Sequence, residues 1–421
     1  MYYGWRVVVL SIVIYILVFG STVSSFSLYV VPVSAEFGLS RAEMNAAFVL
    51  INAGSAIWAP LIGRALDRFS LRLILALSAV LMSVGFVMLS LSHAIWLSAL
   101  ALITGIAIGL DGAAMLTMTV LVARWFKVRR ARAMTISVTG QALGKVLVPV
   151  PTALLIENYG WRTTLIVVGV LLVTVLSLIA AFVRDRPGAS ETEPGGGGGG
   201  SASREVTDAL ADAGGPAGIW HLLRMPRFWL IAVSIAMTFA ISGTLAISMV
   251  PLALDYGLTM TQGALMASAY ASAAVATKLL LAVFADRINR FALVVALLLV
   301  GVPLFATFLL IQGQVQLVLL VILLGLSVGG FAALFPVLQA DVYGLAAYGT
   351  VRGLMTPIQA AFIALGAFAA GWIHDLTGSY HMMFVVFAVS QTMAAAMLHL
   401  ARSSTQPRRA GAGVVGVGMG Q

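Results

Sequence analysis

The stretch Gly63-Arg64-Ala65-Leu66-Asp67-Arg68 decides the fold, because this charged segment directly follows a long apolar run. It has a counterpart in the second half of the chain, Ala282-Val283-Phe284-Ala285-Asp286-Arg287, which again follows a long apolar run. The repeat predicts two related halves, which is the plan of many secondary transporters. In each segment the acid and the arginine can bridge helix ends and lock one conformational state. We therefore expect a gating role for Asp67, Arg68, Asp286 and Arg287.

The composition excludes several classes of protein. Of 421 residues, 61% are hydrophobic and 9% are charged, whereas soluble domains carry about 25% charged residues. The apolar residues form long uncharged blocks, many of about 20 residues, which is the length of a transmembrane helix. A soluble enzyme, a nucleic-acid-binding protein and a disordered protein are therefore excluded. The chain has no cysteine and its five histidines lie far apart, so neither a metal site nor a cofactor is predicted.

Apolar runs between polar segments predict an all-α integral membrane protein with twelve transmembrane helices in two six-helix, pseudo-symmetric halves. Helices are expected because lipid offers no hydrogen-bond partner to an open backbone. A closed barrel would need short alternating strands, and these runs do not alternate. The predicted spans lie near 7–33, 43–62, 73–92, 96–123, 133–156, 163–183, 228–251, 262–284, 291–311, 316–340, 353–373 and 382–401.

The distribution of Lys and Arg predicts the orientation. Of the 24 Lys and Arg residues, 20 fall on the side of the N-terminus under this assignment. Arg41 and Arg162 fall on the opposite side, and Lys145 and Lys278 fall inside helices. Because cytoplasmic loops carry the excess of Lys and Arg, both termini are predicted to be cytoplasmic. The expected location is the cell inner (plasma) membrane, which the chain crosses many times.

Polar segments predict the domain boundaries. An N-terminal six-helix bundle is expected over 1–183 and a C-terminal six-helix bundle over 227–403. The segment 184–226 contains the run Gly195–Gly200, which is typical of a flexible linker, here a cytoplasmic one. A disordered cytoplasmic tail is expected over 404–421.

The segment GRALDRFSLR (63–72) resembles the signature loop between helices 2 and 3 of the major facilitator superfamily. The sequence further resembles the branch of monocarboxylate transporters and oxalate/formate antiporters. That resemblance rests on the segments YYGWRVVVL (2–10), ARWFKVRRARAM (123–134), TGQALGKVLVPVPTALL (139–155), YGWRTT (159–164), LLRMPRFWLIA (222–232) and GWIHDLTGSYHMMF (371–384). It implies the major facilitator fold, alternating access, and transport of small organic anions, often with a proton.

Lys278 lies eight residues before Asp286, or about 12 Å inside the membrane from the repeated loop. A charge at that depth needs a partner or a watery cavity. The resemblance implies more, because the branch carries an arginine that binds the substrate carboxylate at this spacing. Lys278 matches that position with a lysine, whose compact charge lacks the bidentate fork of arginine. Snorkelling or structural pairing is the alternative interpretation.

Asp111 and Lys145 are predicted to lie at one depth, about 18 Å from the cytoplasmic boundary. Equal depth on sequential antiparallel helices suggests an ion pair, and glycines on both helices suggest close approach. The pair is either structural, or Asp111 is a proton-coupling site and Lys145 a substrate contact. Two lysines could clamp a dicarboxylate, whereas one free lysine suits a monocarboxylate.

Several polar residues on apolar helices are weaker candidates for the cavity wall. The resemblance implies that helices 1, 4, 7 and 10 line the cavity, which ranks Tyr29 and Thr119 first as substrate contacts. For each of these residues, hydrogen bonding between helices is the alternative. The other candidates are Ser25, Asn52, Thr117, Gln141, Tyr270, Gln339 and Gln359.

The sequence therefore predicts a secondary active transporter of small organic carboxylates that works by alternating access and is coupled to protons. It is not predicted to be an enzyme. Anion exchange and efflux of amphipathic or cationic compounds are the alternatives, and in the second case Asp111 would bind the cation. The expected partners are the carboxylate substrate, the proton and the lipid bilayer, with no nucleic acid. A monomer is expected.

Overall fold

A computed structural model describes residues 2–126, 129–185, 222–284, 290–311 and 313–403. Most of the predicted linker, the predicted tail 404–421, and the predicted gating residues Asp286 and Arg287 lie outside these ranges. The side chain of Asp67 is also outside the described part. Within it, Arg68 is exposed at the end of its helix.

The described residues are helical, and we number the membrane passes in chain order. They comprise the first span Tyr3–Phe37, the second Arg41–Arg68, the third Leu71–Leu91, the fourth Ile95–Trp125, the seventh Pro226–Asp255, the eighth Met260–Phe284, the ninth Phe291–Leu310 and the twelfth His381–Ser403. The fifth and sixth spans lie within Arg130–Leu147 and Pro149–Phe182, and the tenth and eleventh share the helical stretch Gln314–Thr377.

Two long helical stretches each contain a reversal of direction. Pro149–Phe182 breaks at Gly160, whose φ is 79°. Gln314–Thr377 has 64 residues and would be about 96 Å long if straight, roughly three times a bilayer core. Instead, both of its ends meet the same end of the seventh span. Gln314 Nε2 donates to the Tyr256 carbonyl at 3.2 Å, and His374 Nε2 lies 3.1 Å from Asp255 Oδ2.

These reversals complete twelve membrane-crossing helices and confirm the predicted fold class. We call the side that carries the N-terminus the N-terminal face and the opposite side the far face. Apolar packing builds one buried cluster in the first half and two in the second. The first cluster also includes Ile247, Val250, Ala264 and Ala367 of the second half. The core is therefore continuous between the halves at these positions.

Glycines let neighbouring helices of the first half pack closely. Gly105 and Gly112 of the fourth span face the third span, and a Cβ atom on Gly105 would lie 2.6 Å from the Cα atom of Gly85. Gly140 and Gly144 of the fifth span face the first span instead. Their role in close approach is thus as expected, but the helices that they bring together are different from those predicted.

Wider π turns interrupt two spans of the first half. In the first span, Gly20–Ser24 separates the helices Tyr3–Phe19 and Phe26–Phe37. In the fourth span, Leu102–Ile106 and Leu110–Met115 alternate with the helices Ile95–Ala101, Ala107–Gly109 and Leu116–Trp125. Such turns occur frequently at functional sites, and the second turn of the fourth span carries Asp111.

Candidate functional site

Two lysines lie on neighbouring helices, one in each half, close enough for their charges to interact. Lys145 lies in the fifth span and Lys278 in the eighth, and these two helices pack against each other. Both side chains are exposed, and the positive charge of Lys278 acts on Lys145. No ion pair to either lysine forms among the side chains that the structure describes. The two ammonium groups therefore repel each other across the boundary between the halves.

A polar surface of the first half continues from Lys145. Gln141 lies one turn before Lys145, and its Nε2 atom is 3.8 Å from the Met115 Sδ atom of the fourth span. Thr119, one turn after Met115, is exposed and donates a hydrogen bond to the Met115 carbonyl at 2.6 Å. Because residues four apart share a helix face, Thr119 belongs to the same surface. The Tyr15 hydroxyl lies beside Thr119.

Asp111 does not pair with Lys145, so the predicted ion pair is wrong. Asp111 is 7% exposed and lies inside the first half, with the Ser55 hydroxyl of the second span beside it. Its Oδ2 atom is buried without a hydrogen-bond partner among the described residues. Depth alone does not decide pairing: the π turn Leu110–Met115 that carries Asp111 packs against the first, second and third spans.

Tyr29 is also separate from the lysine pair. It lies in the first span beyond the π turn, and its buried hydroxyl has no partner among the described residues. The residue lines a mostly apolar cavity of about 290 Å³ within the first half. The wall comes from the first, second, third, fourth and sixth spans and includes Phe26, Met44, Phe86, Leu102 and Trp161. Neither lysine lines this cavity, so the structure does not bring Tyr29 together with Lys145 and Lys278.

Hydrogen bonds that were not predicted from the sequence join the two halves at the far face. Asp375 accepts from the backbone N–H groups of Arg41 and Ala42 at 2.9 and 3.0 Å. Glu157 accepts from the Thr261 N–H at 2.8 Å and from its hydroxyl at 2.6 Å. Deeper in the interface, Asn45 Nδ2 donates to the Ala367 carbonyl at 2.7 Å. The far face is therefore closed by contacts between the halves.

The helix arrangement is that of a membrane protein built from two related six-helix halves. The model of the Major Facilitator Superfamily matches residues 10–354 and 241–416. The chain belongs to the major facilitator superfamily, and it is a transport protein rather than an enzyme.

Relatives with assigned names are similar over most of their length. Monocarboxylate transporter 12 of Xenopus laevis is 24% identical over 388 residues, which cover 89% of this chain and 84% of that protein. The uncharacterized MFS-type transporter YcxA of Bacillus subtilis is 23% identical over 376 residues, covering 87% of each chain.

Solved structures show the same fold at low sequence identity. A bacterial homolog of the human lysosomal transporter Spinster, in an inward-facing and unoccupied conformation, gives a TM-score of 0.77 at 16% identity. That likeness covers 96% of this chain and 97% of the other. The nucleoside transporter NupG gives a TM-score of 0.71 at 14% identity and covers 94% of this chain and 99% of the other.

Proposed function

We propose that this protein carries small organic carboxylate anions across the membrane by alternating access, with a proton as the coupled ion. The observation that supports this most directly is the pair Lys145 and Lys278, which lie on packed helices of the two halves, neither of them in an ion pair with a described carboxylate. Two cations held close together favour an anion between them, because each charge then gains an opposite neighbour. Relatives named monocarboxylate transporters support the same class of substrate.

The placement of the cations on different halves links binding to conformational change. An anion that contacts both lysines interacts most strongly when the halves bring them together. A ligand shifts a conformational equilibrium only through such differential affinity. The anion therefore favours the occluded arrangement, whereas the empty site favours separation of the two charges.

The excess of Lys and Arg on the N-terminal face supports a cytoplasmic location for that face. With this orientation, closure of the far face makes the described conformation inward-facing. The exposed lysines are then reached from the cytoplasm, and a substrate from outside enters only after the far face opens.

Asp111 is the proposed proton carrier, although its partner differs from the one expected. A buried carboxylate without a cation beside it is costly as an anion, and taking up a proton removes that cost. Asp111 and Met115 belong to one π turn, and Met115 contacts Gln141, one turn from Lys145. A change of charge at Asp111 is thus transmitted through this turn to the polar surface of the site.

Anion exchange is the second candidate, since two lysines can serve an exchanger that never uses Asp111. Efflux of cationic compounds is disfavoured, because it would require Asp111 to contact the substrate. Asp111 is instead buried inside the first half, beside Ser55.

Lys278→Ala tests the proposed anion site. Removing one partner of a charge pair costs about 2–5 kcal/mol, so the affinity for a bound monocarboxylate should fall at least about thirtyfold. Lys278→Arg should retain part of the affinity because it retains the charge. Binding is measured on purified protein with pyruvate, lactate and oxalate, and counterflow in liposomes measures exchange. Arg224→Ala, which removes an exposed cation outside the membrane, is the matched control. Unchanged anion affinity in Lys278→Ala would refute the site.

A further inference from the structure

Each half supplies one carboxylate that binds the start of a helix in the other half. Asp375 ends the eleventh span and accepts from Arg41 and Ala42 at the start of the second span. Glu157, near the end of the fifth span, accepts from Thr261 at the start of the eighth span. The fifth and eleventh spans are equivalent in the two halves, as are the second and eighth. The two contacts are therefore related by the pseudo-symmetry of the fold.

The contacts supply hydrogen-bond partners to N–H groups at both helix starts. The first N–H groups of a helix have no partner within it. Ser40 caps the second span by accepting from the Glu43 N–H, and Thr259 accepts from the Gln262 N–H at 3.2 Å. Ser40 and Thr259 leave earlier N–H groups of their helices unbound, and Asp375 and Glu157 bind such groups. The positive end of each helix dipole adds to the attraction for a carboxylate.

The sequence around both contacts is repeated. Gly38-Leu39-Ser40-Arg41-Ala42-Glu43 matches Gly257-Leu258-Thr259-Met260-Thr261-Gln262, at the same spacing as the Asp-Arg segments that begin at Gly63 and Ala282. Both segments start with a left-handed glycine, with φ of 64° and 76°.

The acidic side of each contact repeats as well. Glu157 and Asp375 each lie three residues before a left-handed glycine, Gly160 with φ of 79° and Gly378 with φ of 68°. That glycine ends the helix, so it sets the direction in which the chain leaves the membrane. The same local construction therefore presents a carboxylate to the opposite half twice.

We propose that Glu157 and Asp375 are positioning residues for transport. Their two contacts with the helix starts, which we call the far-face caps, hold the far face closed and release together when it opens. The inference rests on the proposed alternating access. Both side chains are exposed, so water can replace the lost partners when the halves separate. Because each cap adds only a modest free energy, the closed state is favoured but stays reversible. A rigid-body movement of one half breaks both caps, since each joins the two halves.

The test measures access rather than transport, so it remains informative if the substrate is not a carboxylate. The chain has no cysteine, and single reporter cysteines give no background. Ala264→Cys and Ala367→Cys place a thiol at positions that are 0% exposed in the core between the halves. Alkylation by an impermeant maleimide from the far side then reports opening. Each reporter is combined with loss of the more distant cap: Ala264→Cys with Asp375→Ala, and Ala367→Cys with Glu157→Ala.

Loss of one cap should raise the rate of far-side alkylation about tenfold, as expected for a hydrogen-bonded charged group. Loss of both should raise it about hundredfold, because the caps are at separate helix ends and their effects add. Asp375→Glu should restore a slow rate if its carboxylate reaches the same N–H groups. Glu36→Ala is the control, since Glu36 is a far-face carboxylate whose partner Arg162 lies in the same half, 2.6 Å away.

A reporter on the other face separates opening from general loosening. Val138 lies two turns before Lys145 on one helix face and is 44% exposed. If the caps set the balance of states, alkylation of Val138→Cys from the N-terminal face should slow as far-side alkylation rises. Faster alkylation at both faces would assign the caps to stability of the fold and overturn the proposal. Unchanged rates in the single and double variants would overturn it too.

Discussion

Gly371→Ala should shift this transporter away from the closed far face without damaging its fold. Gly371 lies in the eleventh span, where it crosses the start of the second span. A Cβ atom at this position would lie 2.6 Å from both the N and Cα atoms of Ala42, and 2.7 Å from the carbonyl carbon of Arg41. Because these are backbone atoms, the clash with the added methyl group cannot be relieved by rotating a side chain.

The size of the effect follows from the geometry. Carbon atoms in contact are normally about 3.5–4.0 Å apart, so the two helices would have to separate by about 1 Å. Overpacking of this kind typically costs about 1–3 kcal/mol. The second and eleventh spans belong to different halves, so the cost falls on the closed far face and is absent when the halves part there. The equilibrium should therefore move toward the open far face by about 5- to 150-fold.

The assay is far-side alkylation of Ala264→Cys in the Gly371→Ala background. Two glycines provide controls. At Gly63 nothing lies within 4 Å of an added Cβ atom, so Gly63→Ala should leave both access and stability unchanged. At Gly105 the added atom would lie 2.6 Å from Gly85 within the same half, so Gly105→Ala should lower the melting temperature without opening the far face. If Gly371→Ala lowers the melting temperature without opening the far face, the crossing of the second and eleventh spans stabilises the fold and does not set the balance between open and closed states.

Two further outcomes are expected. Asp111→Asn imitates the protonated acid, so it should support counterflow exchange but lose accumulation driven by a pH gradient, and accumulation at the wild-type level would exclude Asp111 as the proton carrier. Ser203→Cys and Gly313→Cys should be alkylated from opposite sides of the membrane, and labelling of both from outside by one impermeant reagent would contradict the proposed orientation. The separate test of Lys278 by anion binding does not depend on either result.

The number and order of the spans could be predicted from sequence because both depend on local properties. A long apolar run such as that ending at Trp125 must cross the bilayer as a helix, whatever its neighbours are. The repeated Asp-Arg segment added the division into halves. Neither inference needs to know which face of a helix meets which other helix.

The partner of Asp111 could not be predicted in the same way. Residue counting fixes the depth of a side chain but leaves open its direction around the helix axis, which depends on packing. The π turn Leu110–Met115 adds to the difficulty, because it changes the rotation per residue within the fourth span. Gly140 and Gly144 are similarly ambiguous, since a glycine indicates that another helix approaches closely but does not identify that helix. Lys145 and Lys278 were recognised as candidates because an intramembrane charge is costly wherever it points.

The far-face caps could be predicted from the sequence repeat but not from single residues. Charged residues near helix ends are common, so Glu157 and Asp375 carry no signal individually. Their signal lies in the repeat, because a capping segment beginning at Gly38 returns at Gly257 with the spacing of the Asp-Arg segments. Two repeats with one spacing place equivalent devices at both ends of the second and eighth spans. With the gating role predicted for the Asp-Arg segments, the same pair of helices would hold either face closed, and Glu157 and Asp375 would serve the far face.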